Sequence, residues 1–125
     1  MDFPSRLLRF VQFPSFLRDW QRLGLGDEAL RTLEQVLIDS PDRAPIMQHT
    51  GGLRTLRFTP PGARRGKSGA CRVCYAFFPS FGTIALFAAF AKNEQSDLTR
   101  SEASAIAKAL KAFETELRIQ VEHRK

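Results

Sequence analysis

From Arg43 to Asn93 the chain contains no Asp or Glu, while Arg43, Arg54, Arg57, Arg64, Arg65, Lys67, Arg72 and Lys92 supply eight positive charges. The whole chain of 125 residues carries +6, so everything outside that window sums to −2. Its basicity is therefore local. A cationic block with no carboxylate to neutralise it is the electrostatic footprint of a polyanion-binding face. A face that only needs to be soluble usually mixes both signs. The block centres on TGGLRTLRFTPPGARRGKSGACRVCY, residues 50–75. Two strand-like segments there flank a loop of Pro60, Pro61, Gly62, Gly66 and Gly69 that carries Arg64, Arg65 and Lys67.

Other reactive residue types in the chain read as bland. Cys71 and Cys74 form a C-x-x-C, but a redox pair of that spacing opens a helix, whereas this one lies in a β-branched and aromatic strand. Residues three apart on a strand face opposite ways. Only His49 and His123 are available as further zinc ligands, so the cysteines read as packing residues of a reducing compartment. Residues 62–68, GARRGKS, fall one residue short of a P-loop and lead into a strand rather than a helix. His49 precedes Thr50-Gly51-Gly52 and reads as a loop residue. Glu94 and Asp97 belong to the turn before the last helix, where Asp97 favours the helix N-terminus.

These groups must be positioned by a single domain, the size prior for this length. Apolar content of 43% and charged content of 26% are those of an ordinary soluble protein. Eleven Phe against one Trp and one Tyr suggest that aromatics fill the core. The longest apolar run, residues 83–91, suits one buried strand and not a bilayer span. The N-terminus lacks a signal-peptide pattern, which makes the cytoplasm the expected compartment.

In chain order, residues 6–13 are a candidate strand and residues 14–23 a short helix with Phe16, Leu17 and Trp20 on one face. Gly24 and Gly26 break that helix. Asp27 is the expected N-cap of a second helix over residues 28–38, closed by Pro41. The two helices should form a hairpin. Three strands follow, over residues 53–59, 70–78 and 83–91, and their short links favour an antiparallel meander. Thr99-Arg100-Ser101-Glu102 matches a capping box. Ala103, Ile106, Leu110, Phe113 and Leu117 then repeat at helical spacing to about Ile119, with residues 121–125 expected to fray. The fold class is α+β: an antiparallel sheet with the N-terminal helical hairpin and the C-terminal helix packed on one face.

Strand parity sorts the charges. Val73, Tyr75 and Phe77 share one face, and Arg72, Cys74 and Ala76 the other. Leu56 and Phe58 look like core, so Thr55 and Arg57 lie on the open side with Arg72. Lys92 ends the third strand, and the Arg64–Lys67 loop overhangs a rim. The expected product is a sheet face with helices behind and cations in front.

Three segments in this order, TGGLRTLRF, GKSGACRVCY and FAKNEQSDLT, followed by the amphipathic helix, resemble the RelE/HigB superfamily of type II toxins. The HigB-like branch is nearest, and the match covers about half of the chain, residues 50–110. The resemblance implies a ribosome-dependent mRNA endonuclease that uses neither metal nor cofactor. In that chemistry the RNA 2′-hydroxyl attacks the adjacent phosphodiester. Arg57, Arg72 and nearby lysines would stabilise the dianionic phosphorane, and the bound geometry would align the 2′-oxygen. Lys92 or Lys67, with its pKa lowered by neighbouring cations, would serve as general base or acid. Arg54, Arg64, Arg65 and Asn93 would contact RNA or the ribosome.

Position by position, Arg72 matches the family's basic residue before the R-x-x-Y tyrosine, Arg57 the second basic residue of its strand motif, and Lys92 the lysine ending the last strand. Thr55 departs from the lysine common in relatives. Asn93 replaces the arginine of RelE proper, and no tyrosine follows near Thr99. The implied partners are a cognate antitoxin, mRNA and the 70S ribosome, with no membrane and no DNA bound by the toxin alone. Phe113, Leu117 and Val121 carry apolar surface that an antitoxin segment could cover. Two other readings stay open: a non-nucleolytic ParE-like toxin, and an inactive module that binds RNA or antitoxin without cleavage.

Overall fold

The computed structural model describes residues 8–62, 69–91 and 98–123. The elements in order are β1 (Arg9–Gln12), α1 (Pro14–Arg22), α2 (Asp27–Asp39), β2 (Arg54–Phe58), β3 (Cys71–Phe78), β4 (Thr83–Ala91) and α3 (Arg100–His123). Three helices and one four-stranded sheet among the described residues agree with an α+β class. The expected positions of Arg6, Arg64, Arg65, Lys67, Lys92, Asn93, Glu94 and Asp97, and most of the Gly62–Ser68 stretch, lie outside the described residues.

The sheet runs β1-β4-β3-β2. β2, β3 and β4 form the expected meander, with β2 antiparallel to β3 and β3 antiparallel to β4. β1, however, pairs in parallel with the first half of β4, from Arg9 opposite Thr83 to Gln12 opposite Leu86. The sheet is therefore mixed rather than antiparallel. The 70 residues between β1 and β4 leave ample chain for a parallel return, whereas the 4 residues between β3 and β4 allow only an antiparallel hairpin.

Helices lie on both faces, which corrects the expectation of a single helical layer. One core joins Phe16 and Trp20 of α1 and Ala29, Leu33 and Leu37 of α2 to Leu56, Phe58, Val73, Tyr75, Ile84 and Leu86. A second joins Leu110 and Ile106 of α3 to Leu53, Cys74, Ala76, Phe78, Phe87 and Phe90 on the reverse of the sheet. The reason is amount of apolar surface. The reverse face carries Phe78, Phe87 and Phe90, and each large apolar side chain taken out of water contributes about 1.5–3 kcal/mol. The α3 stripe supplies the cover: Ala103, Leu110 and Leu117 are buried, and Phe113 packs against Phe13 and Phe78 at centroid distances of 5.3 and 5.5 Å.

Within α1, Phe16 and Trp20 stack at 5.1 Å, but Leu17 is 50% exposed and does not share their face. α2 begins one residue earlier than expected. Gly26 is its N-cap and Asp27 its first residue, with Asp27 and Glu28 in the first turn, where acidic groups suit the helix dipole. At α3 the capping box forms in full: the Thr99 amide donates to Glu102 at 2.9 Å and the Glu102 amide to the Thr99 hydroxyl at 3.0 Å. The helix continues to His123, so Val121 is helical rather than frayed.

One irregularity shapes β4. Cys74 faces Ala88 and Tyr75 faces Leu86, which leaves Phe87 as a bulge. Phe87 and Ala88 consequently both join the α3-side core. Among the described residues the outer edge of β4 has no strand partner beyond Leu86, and α1 caps it instead. Ser15 donates to the Phe87 carbonyl at 2.5 Å, Asp19 accepts from the Ala89 amide at 3.0 Å, and Arg22 donates to the Ala89 carbonyl at 3.4 Å. Spacing of i, i+4 and i+7 places these three on one helix face, where they stand in for a neighbouring strand. Among the described residues no helix is long and apolar enough to cross a membrane.

Candidate nucleic-acid interface

α3 covers only part of the reverse face. Along β3 that face presents Arg72, Cys74, Ala76 and Phe78; the last three pack beneath α3 and Arg72 is exposed. Arg57 of β2 is the registered partner of Arg72, and Phe90 of β4 is its partner on the other side. The uncovered half-face thus begins with the row Arg57, Arg72, Phe90. Directly opposed side chains on antiparallel strands have Cβ atoms about 4.5–5.5 Å apart, and like charges in that position destabilise the sheet. Neither guanidinium has a hydrogen bond or ion pair with a described residue. Two unneutralised cations side by side on an exposed strand pair form a ready counter-charge for phosphate.

The next row is Thr55, Cys74 and Ala88. Thr55 stands on the same face as Arg57, as parity predicts, and its buried hydroxyl faces the Cys74 thiol. The Cys74 thiol is buried beside it. Burial pushes that thiol up to about 11, against smaller opposing effects of Thr55 and Arg72. Cys71 belongs to the other core and is also pushed up to about 11 by burial. The pair is reduced and divided between two faces, as the strand reading requires. Among the described residues no three His, Cys, Asp or Glu side chains converge as a metal site.

Arg54 is not part of the cationic row. It faces Tyr75 in register, on the α1–α2 side. Its guanidinium donates to the carbonyls of Asp42 and Ala44 at 3.0 and 2.6 Å. The Tyr75 hydroxyl donates to the Pro41 carbonyl at 2.8 Å. Together they pin residues 41–44 to the sheet, and the bridge between Ile46 and Arg54 extends that attachment. His49 is an exposed turn residue with φ of +67°. Gly51 beside it has φ of +73°, which favours glycine, and a Cβ there would press on Ala107 of α3 at 3.3 Å.

A pocket of about 350 Å³ opens between β4, α1 and the first turns of α3. Leu53, Cys74, Phe87, Ala88, Phe90 and Ile106 make its walls, and Asp19 and Arg22 its polar edge. Asp19 Oδ1 lies 3.6 Å from the Arg22 guanidinium while Oδ2 holds the Ala89 amide. Sequence reasoning missed this pocket. Its one sequence signal is the polar stripe Ser15, Asp19, Arg22 on an otherwise core-facing helix.

Of the candidate residues, the structure unites Arg57 and Arg72 and sets Arg54 behind the sheet. Arg64, Arg65, Lys67, Lys92 and Asn93 are outside the described residues. No protein-family model matches the chain.

Proposed function

We propose that this protein is a RelE-like toxin of the HigB type that cleaves translated mRNA on the ribosome, with α1 and α2 as the helical hairpin of that fold. The observation that carries the reading is the registered, exposed and unneutralised pair Arg57 and Arg72 inside a window free of acidic residues. The order of elements and the three sequence segments add to it.

In this mechanism the RNA lies with its scissile phosphate on the two arginines. The 2′-oxygen forms a bond to phosphorus as the bond to the 5′-oxygen breaks, leaving a 2′,3′-cyclic phosphate. The 2′-proton passes to a base, and an acid returns a proton to the 5′-oxygen. Lys92 and Lys67 are the proposed proton carriers. Arg57 and Arg72 stabilise charge on the non-bridging oxygens, which is greatest in the transition state. Held in the cell by a cognate antitoxin, such a protein would act in the cytoplasm.

The deciding experiment is induced expression in a bacterial host with mapping of mRNA 5′ ends, beside the Arg57→Ala/Arg72→Ala variant. Growth arrest with new cuts inside translated frames, both absent in the variant, is expected. Arrest without cuts would assign a ParE-like action on a protein target. No arrest from folded protein would leave an inactive RNA- or antitoxin-binding module, with Thr55→Lys as the substitution to try.

A further inference from the structure

The pocket beside Arg72 has no role in a mechanism built on cations alone. We infer that it takes one nucleobase of the RNA whose phosphate rests on Arg57 and Arg72, and that Asp19 makes it prefer bases bearing an amino group. This inference rests on the RNA reading above.

Position is the first argument. Phe90 lines the pocket and is also the registered neighbour of Arg72, and Cys74 lines it from the next row of the same face. An apolar cavity therefore adjoins the phosphate-binding pair on one continuous half-face. Shape and surface are the second. Its volume of about 350 Å³ falls within the roughly 300–1,000 Å³ of small-ligand sites. Phe87 and Phe90, with Leu53 and Ile106, offer aromatic and aliphatic surface to a base plane. Single-stranded RNA is recognised in this way, by unstacked bases held against aromatic side chains and read along their polar edges.

Asp19 supplies the polar edge. A carboxylate has about four acceptor positions, and the Ala89 amide and the Arg22 guanidinium use only some of them. An acceptor-only group rewards the exocyclic amino groups of adenine, cytosine or guanine, whereas uracil presents two carbonyls to it and a single ring N3–H between them. The neighbouring cations argue for a polyanion here, and against a side chain of a protein partner.

The test is fluorescence anisotropy of the full chain with short 2′-O-methyl oligonucleotides, which cannot be cleaved: oligo-A, oligo-C, oligo-U and an abasic backbone of equal length. Wild-type protein should bind oligo-A and oligo-C about tenfold more tightly than oligo-U and the abasic strand. Ala88→Leu, which fills the pocket, should bring all four to the abasic level while its salt dependence stays unchanged. Phe90→Leu, which keeps the site apolar but removes the ring, should reduce the preference too, and thermal melts identify any unfolded variant. RNA binding that ignores the base, or a base preference that survives Ala88→Leu, overturns the inference and leaves the RNA reading standing. Base-blind binding with a partner protein lost on Ala88→Leu assigns the pocket to that partner. No RNA binding at all removes both.

Discussion

Arg57 and Arg72 sit where sheet energetics would place opposite charges or a hydrophobic pair. Directly opposed like charges cost a few tenths to about 1 kcal/mol relative to neutral neighbours, and neither has a described partner to offset this. Changing both to Ala should therefore leave the melting temperature unchanged or raise it while RNA affinity falls. A clear loss of stability in that variant would mean the guanidiniums are structural. The cysteines give a second prediction. Both thiols are raised by burial to about 11, so the folded state favours their neutral form. The stability this represents is complete below the ordinary thiol range and is lost as pH rises through the folded values. Thermal stability should fall between about pH 9 and 11, and Cys71→Ala/Cys74→Ala should blunt that fall. Equal alkaline loss in the variant would assign it to other groups, such as Tyr75, which burial also raises.

At the scale of elements, α3 and β4 govern the site. α3 is anchored by its capping box and by the stripe beneath it; Leu98, just before the helix, and Ile106, in its second turn, border the pocket. Thr99→Ala removes one side of that box and should cost about 0.5–2 kcal/mol by chemical denaturation. The loss should be largest in hydrogen-exchange protection of the first turn of α3. Uniform loss along the helix would show that the cap stabilises the whole element. β4 depends on α1: the side chains of Ser15, Asp19 and Arg22 satisfy backbone groups that β1 stops short of reaching. Phe87 lies on the α3 side of the sheet, where its ring meets Phe13 at 5.2 Å, and the bulge is what brings Ala88 and Phe90 to that same side.

Over the whole molecule, charge and cover are distributed unequally. The acid-free window holds +8 against −2 elsewhere, and α3 shields one part of the reverse face while the part bearing Arg57 and Arg72 stays open. Binding to single-stranded RNA should weaken steeply with salt, since each neutralised phosphate contributes about −0.7 to the logarithmic slope. Replacing Arg57 and Arg72 together, which frees the one phosphate they share, should make that slope shallower by about 0.7. An unchanged slope would place the phosphate contacts elsewhere on the basic window. Phe113 and Leu117, which resemble an external apolar stripe in sequence, are part of the internal packing, and Val121 is the member left exposed.

Local rules were enough for much of this chain. The capping box, the α3 stripe, the meander of β2, β3 and β4 and the parity of Arg57, Thr55 and Arg72 follow from period, turn chemistry and short links, all of which act within a few residues. The same parity separates Cys71 from Cys74 and explains why they are packing groups. What sequence alone left undecided involves groups distant along the chain. Which face α3 covers depends on the apolar area left on the reverse of the sheet. The parallel seat of β1 depends on where α1 and α2 return the chain. Arg54 reads as one more cation until its contacts with Asp42 and Ala44 show it to be a clamp. The pocket beside Arg72 joins α1, β4 and α3, and only their packing creates it.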